Sequence, residues 1–173
     1  IAEPLSLLPG VTFIQANGPR DVSVSVRGSN NRSSFGVRNV KVYEDGFPVT
    51  QPDGLARTDL ADPHAYSSIE VLQGPSSSFY GNYATGGVIN FYTQTGKDLQ
   101  GVEAGADVGS FGYMNLYATA AGMGDRYDYG LFGSHVRGQS YTEHTSYSTT
   151  TENVLVSFQV TSEDRWTLKF INN

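Results

Sequence analysis

Beyond Lys97 the sequence settles into long runs in which apolar and polar residues alternate, and that period of two commits the second half of the chain to β-strands. Met114, Leu116, Ala118 and Ala120 alternate with Tyr113, Asn115, Tyr117 and Thr119. Val154, Val156, Phe158 and Val160 alternate with Leu155, Ser157, Gln159 and Thr161, and Trp166, Leu168 and Phe170 with Thr167, Lys169 and Ile171. Strands are expected over residues 102–108, 112–121, 126–137, 153–161 and 165–171. Several are close to the ~9 to 11 residues that a tilted strand needs to cross a bilayer. A soluble sandwich would give the same alternation. The connections add an asymmetry: residues 122–125 and 162–164 are short, whereas 138–151 is long, polar and rich in Ser and Thr. Short turns at one end and long loops at the other are the habit of outer-membrane barrels.

The first half reads differently. Ile1, Leu5 and Leu8 share a helical face that Pro9 and Gly10 bring to a stop, with Pro4 tolerable only in a first turn. Val22, Val24 and Val26 alternate with Ser23, Ser25 and Arg27, a strand that ends at Gly28. A second strand is expected over 37–43, turned by Asp45 and Gly46 into 47–49. Asp62 before Pro63 makes an N-cap and first-turn pair, so 63–67 is expected to be a short helix. After it, Ile69 and Val71 alternate with Glu70 and Leu72 up to Gly74 and Pro75. Residues 76–80 form one helical turn closed by Gly81, and Gly86 and Gly87 lead into a strand over 88–95. These pieces suit a small mixed sheet with short helices.

Composition removes several function classes. The 173 residues are enough for one domain or two small ones. Cysteine is absent, which excludes disulfides, thiolate metal sites and cysteine nucleophiles. Up to Lys97 there are 7 Lys and Arg against 8 Asp and Glu, and beyond it 4 against 9. That acidic excess argues against a nucleic-acid partner, which needs a basic patch. No run is apolar and long enough for a transmembrane helix.

Three strings occur in order: VYEDGFPV from Val42, IEVLQGPSSSFYG from Ile69, and ATGGVINF from Ala84. Together they resemble the plug domain of TonB-dependent outer-membrane receptors, over roughly residues 5–93. The resemblance implies an α+β plug over residues 1–96, then the first five or so strands of an antiparallel transmembrane β-barrel over 97–173. Barrels of this family have about 22 strands around a plugged lumen, so the chain reads as a fragment of a larger protein. Five open strands in hydrocarbon would leave two unpaired edges at several kcal/mol per group.

The resemblance also implies a function: a receptor in the Gram-negative outer membrane that takes up a scarce nutrient, a ferric siderophore or other metal chelate before a vitamin. Its partners would be the TonB complex, engaged through a segment ahead of Ile1, the substrate, and outer-membrane lipid. No cofactor is implied, and the family is not enzymatic. In the family the apical plug loops meet the substrate; here these match residues 15–20, 29–35 and 50–57, carrying Arg20, Asn30, Asn31, Arg32, Gln51, Asp53 and Arg57. Arg27 aligns with an arginine that faces barrel carboxylates and helps seat the plug. Its usual companion arginine is replaced by Gln73, which can hydrogen-bond a carboxylate without forming an ion pair.

The rival readings are a soluble β-rich binding or adhesion module and a hydrolase. For the latter, His64, His135 and His144 fall in separate segments without metal or triad spacing, and GPSSSFYG lacks both a phosphate-loop lysine and the glycines of a nucleophile elbow. Asn31, Arg32 and Ser33 match a glycosylation sequon by accident in a bacterial protein. Asp53 with Gly54, and Asp125 with Asp128, are turn carboxylates that are usually solvated rather than calcium-bound.

Overall fold

The computed structural model describes residues 5, 7–15, 22–30, 37–57, 61–139 and 145–173. The chain divides into two units, residues 1–63 with 68–92 and residues 64–67 with 93–173.

In the first unit β1 (Val11–Gln15) pairs antiparallel with β2 (Val22–Val26), Val11 opposite Val26. The alternation of β2 suggests one wet face, yet all five of its residues are buried. Ser23 and Ser25 tolerate this because their hydroxyls accept hydrogen bonds from Asn30. A second sheet has the order β4-β3-β6-β5, built from β3 (Val40–Glu44), β4 (Phe47–Pro48), β5 (Tyr66–Gln73) and β6 (Gly87–Thr93). Strands β3 and β6 are parallel, Val40 opposite Gly87. Val40, Val42, Val88, Ile89 and Phe91 are 2% exposed or less. At roughly 1.5 to 3 kcal/mol for each such side chain, they are the main stabilising core of this sheet.

The expected Asp45–Gly46 turn joins β3 to β4 with positive φ at both residues, 52° and 82°. Two expectations are corrected. The second strand begins at Val40 rather than residue 37, because Asn39 takes φ 61° and breaks the run; Val37 instead makes an isolated bridge to Ala56. The expected helix over 63–67 is one 3-10 turn, Pro63–Ala65, and Tyr66 already belongs to β5. The Ala65 carbonyl accepts the Gln94 N–H at 2.9 Å, so the ladder with the continuation of β6 captures the backbone that a helix would need. Of the helix expected at the start, residues 1–4 and 6 lie outside the described residues, and Leu5 is buried.

Helix α1 (Ser77–Tyr80) follows β5 as a single turn. Its last carbonyl, on Tyr80, accepts from Lys41 Nζ at 2.7 Å and from Tyr43 Oη at 3.3 Å, which fastens the turn to β3. At Gly87 a Cβ would overlap the Leu72 carbonyl oxygen, so β6 can lie this close to β5 only with glycine there.

The second unit is an antiparallel meander in the order β11-β10-β9-β8-β7. Its strands are β7 (Gly101–Val108), β8 (Met114–Met123), β9 (Tyr127–Gly138), β10 (Tyr147–Gln159) and β11 (Arg165–Asn172). Strand β10 starts six residues before the expected 153, since Thr149, Thr150 and Thr151 are β-branched and continue the ladder opposite Val136, His135 and Ser134.

The segment entering this meander is held against the sheet. Thr93 Oγ1 accepts from Lys169 Nζ at 2.6 Å and lies 3.5 Å from Asn153 Nδ2. The Gly96 N–H donates to the buried carboxylate of Asp128 at 2.9 Å, and Arg165 approaches the other oxygen of that carboxylate at 3.4 Å. A Cβ on Gly96 would overlap the backbone of Gly122, and one on Gly130 the carbonyl of Gln94. Gly130→Ala in the intact protein is therefore expected to destabilise by about 1 to 3 kcal/mol, as overpacking does. Gly133→Ala on the same strand, where nothing lies within 4 Å of the new methyl, is expected to stay within about 0.5 kcal/mol of wild type. Thermal midpoints of the two variants decide this, and equal losses would contradict it.

Candidate functional site

Parallel β3 and β6 start at the same end of the four-stranded sheet. Strand β5 finishes there, since Gly74 N–H donates to Gly86 O at 3.0 Å. Chain direction thus gathers residues 29–30, 37–39, 50–57 and 74–86 at one end. Direct bonds knit them: the Gly86 N–H donates to Asn39 O at 2.7 Å, and Asn39 Nδ2 donates to Ser29 O at 3.0 Å.

Among the sequence candidates, Asn30 is 4% exposed. Its Nδ2 donates to Ser23 Oγ at 2.9 Å and to Val24 O at 3.0 Å, and its Oδ1 accepts the Arg38 N–H at 3.2 Å. With both ends of the amide engaged, Asn30 braces the end of β2 against Arg38. Asp53 caps a tight turn: its Oδ1 accepts the Leu55 N–H at 3.0 Å, while Gly54 N–H bonds Gln51 O at 2.9 Å and Gln51 N–H bonds Leu55 O at 2.8 Å. Gln51 and Arg57 are exposed beside that turn. Arg20, Asn31 and Arg32 lie outside the described residues.

Sequence reasoning missed Arg38. It stood inside an expected strand, and no local signal marks it otherwise. Because the strand starts later, Arg38 sits between two loops, and its Nη1 donates to Asp53 O at 3.4 Å. It adds a cation to the cluster of Gln51, Asp53 and Arg57.

The latch pair takes a particular geometry within the first unit. Arg27 has φ 49° and its N–H donates to Gly10 O at 2.8 Å. Gln73 Nε2 donates to Pro9 O at 2.7 Å, tying the Pro9–Gly10 turn to the end of β5. The histidines stay apart. In the second unit His64 stacks on Tyr117 at 3.8 Å, with Nε2 3.4 Å from Asp107. His135 Nδ1 lies 2.9 Å from Thr150 Oγ1 on the sheet surface, and His144 is outside the described residues. Among the described residues no three His, Asp or Glu side chains are grouped as metal ligands would be.

Asn30→Ala is expected to free three partners at once and cost about 1 to 3 kcal/mol. Faster amide exchange at Arg38, with residues 87–93 unaltered, would be the signature; an unchanged Arg38 amide would refute the brace.

A family model, the TonB-dependent Receptor Plug Domain, matches residues 1–88, just over half of the chain. The fold is similar to that of the FrpB iron transporter from Neisseria meningitidis in its apoprotein form, with TM-score 0.74 and 17% identity, covering 99% of this chain and 29% of that one. It is similar to the copper transporter OprC, with TM-score 0.70 and 21% identity, covering 97% and 27%. The pyoverdine outer membrane receptor FpvA from Pseudomonas aeruginosa PAO1, bound to pyoverdine, gives TM-score 0.71 and 18% identity, covering 97% and 24%. The chain thus spans less than a third of the length of each of these proteins. On the plug match, with the mixed sheet and the meander behind it, the chain belongs to the TonB-dependent receptors of the Gram-negative outer membrane, carrying the plug fold and opening strands of the β-barrel.

Proposed function

We propose that the intact protein is an energy-coupled outer-membrane transporter. It captures a metal chelate over the loops at the end of the plug sheet and releases it inward when the TonB complex pulls on a segment ahead of Ile1. In this reading residues 1–96 are the plug, and 97–173 open the barrel.

The observation that carries the reading is the two-faced meander. Register places Val102, Ala104, Ala106 and Val108 of β7 on one face with Met114, Leu116, Ala118 and Ala120 of β8. Leu131, Val154, Val156, Leu168 and Phe170 continue that face across β9, β10 and β11. Val108 is 79% exposed and Leu168 67%, so this face leaves large apolar side chains open. At one end of the strands Tyr127, Phe158 and Trp166 are direct cross-strand neighbours, an aromatic row of the kind found at a membrane interface. The opposite face carries Asp107, Asn115, Thr119, Asp128, Asn153, Thr167 and Lys169 among the buried Ala121, Phe132, Val136 and Leu155, and these polar groups suit the lumen side of a barrel. The soluble-module rival has no use for this division.

Local charge supports an anionic substrate. Along the sequence, the segments read as substrate-facing and Arg38 beside them carry Arg20, Arg32, Arg38 and Arg57 against Asp21 and Asp53, and one Asp53 oxygen already serves its own turn. Arginine forks match carboxylate and other oxyanions, so a negatively charged ferric chelate fits better than a neutral sugar. Two solved neighbours are named for iron and copper transport and a third for pyoverdine. A second reading, cobalamin, would use Asn30, Asn31 and Gln51 through amide hydrogen bonds; with the Asn30 amide engaged inside the fold, the anionic reading is preferred.

Phe170→Arg, four residues along the strand from the Trp166 row, should lower the free energy of folding into lipid vesicles by about 2 to 4 kcal/mol, the penalty for arginine deep on a lipid-facing strand. Denaturant titration reads it, and folding without detergent or lipid at unchanged stability would favour the soluble module. Replacing Arg20, Arg32, Arg38 and Arg57 singly by Gln should weaken capture of ferric citrate about tenfold or more for at least one of them, the scale of a charged hydrogen bond. Four unaltered affinities, or a wild type that captures cyanocobalamin and no anionic chelate, would overturn the substrate assignment.

A further inference from the structure

Residue 83 is a tyrosine at a place where a tyrosine is unfavourable. Its φ is 71°, in the left-handed region that side chains with a Cβ rarely adopt. Two contacts hold it there, both to the 51–55 turn. The Tyr83 hydroxyl donates to Pro52 O at 3.1 Å. The ring lies on Gly54: a Cβ built there would stand 2.5 Å from Cδ1 and Cε1 and 2.9 Å from Cγ. Gly54 is thus needed twice, for its own φ of 84° and as the seat for the ring.

The base on which Tyr83 stands is firm. On one side α1 closes with Gly81 N–H on Ser77 O at 2.9 Å; on the other Ala84 is fully buried, and its carbonyl accepts the Ser76 N–H at 2.8 Å. Two residues further on, Gly86 is seated against Ser29 and Asn39. The two ends of the turn are anchored, by the Val42 N–H on Thr50 Oγ1 at 2.8 Å and by two backbone bonds between Val37 and Ala56 at 2.8 and 2.9 Å, and at its tip Arg38 reaches Asp53 O at 3.4 Å. Tyr83 therefore transmits the rigidity of the helix-to-β6 connection to the loop bearing Gln51, Asp53 and Arg57.

We infer that Tyr83 is a positioning residue for substrate capture, clamping the 51–55 turn so that Gln51, Asp53 and Arg57 are presented in one arrangement before the substrate arrives. The inference rests on the reading of these loops as substrate-facing. It predicts that affinity depends on residue 83 through pre-organisation, because a clamped loop loses less freedom on binding than a loose one.

Two measurements on the intact receptor in detergent separate the inference from that reading. The first needs no ligand: hydrogen exchange over 50–57 in Tyr83→Phe, which keeps the ring and loses the hydroxyl, and in Tyr83→Asn, which tolerates the left-handed backbone and loses both contacts. Exchange over 50–57 is expected to rise about threefold in the first and tenfold or more in the second, with residues 87–93 unchanged. Wild-type exchange over 50–57 in Tyr83→Asn, or a rise spread equally over 87–93, would overturn the clamp. The second is capture of ferric citrate by Tyr83→Phe, Tyr83→Asn and Arg57→Gln. A loss of about tenfold in Tyr83→Asn and little in Tyr83→Phe supports the inference. A loss in Arg57→Gln with none in Tyr83→Asn overturns it and leaves the loops substrate-facing. Loosened exchange with unaltered capture in all three variants overturns the substrate-facing reading as well.

Discussion

A strand in hydrocarbon must pair every backbone N–H and C=O with protein, because no water is present to take its place. The second unit obeys this constraint along each internal boundary: β8, β9 and β10 are bonded on both sides through uninterrupted antiparallel registers. The same rule leaves β7 and β11 each with an unpaired edge within the meander. Satisfying those edges in hydrocarbon requires further strands. The apolar outer face and the polar inner face follow from it, since a closed sheet in a bilayer separates lipid from lumen.

Glycine makes the rest of the construction possible by letting backbones approach one another. Gly87 lies against the Leu72 carbonyl, Gly96 against Gly122, and Gly130 against the Gln94 carbonyl. The last two lay the entering segment directly on the meander, where Thr93, Lys169, Asp128 and Arg165 hold it by charge-assisted bonds. The loop cluster follows a different logic. There buried amides and hydroxyls, Asn30 with Ser23 and Ser25, join the fully buried Val37, Ala56 and Ala84 as the source of order.

Much of the fold was legible in the chain because it depends on local rules. The Asp45–Gly46 turn, the single turn ending at Gly81, the glycine joint at Gly86 and Gly87, and the five alternating strands each follow from one or two residues and a period. Two of the misplacements share a cause. Val37 looks like a strand residue and bridges Ala56 instead, and residues 63–67 look helical until the Gln94 N–H claims the Ala65 carbonyl. In both places a partner distant in sequence overrode local preference.

The site shows the same division. Residue types alone set out arginines and amides in three loops and the signature strings of the family, because charge and glycine spacing are written along the chain. Only the tertiary structure decided which side chains are engaged. It turned Asn30 inward to brace a loop, brought Arg38 to Asp53, and set Tyr83 on Gly54 across 29 positions of sequence. Hydrogen-bond geometry between distant segments has no sequence period. The chain by itself determined an alternating wall and a punctuated plug; packing determined which polar groups the fold consumes and which remain exposed.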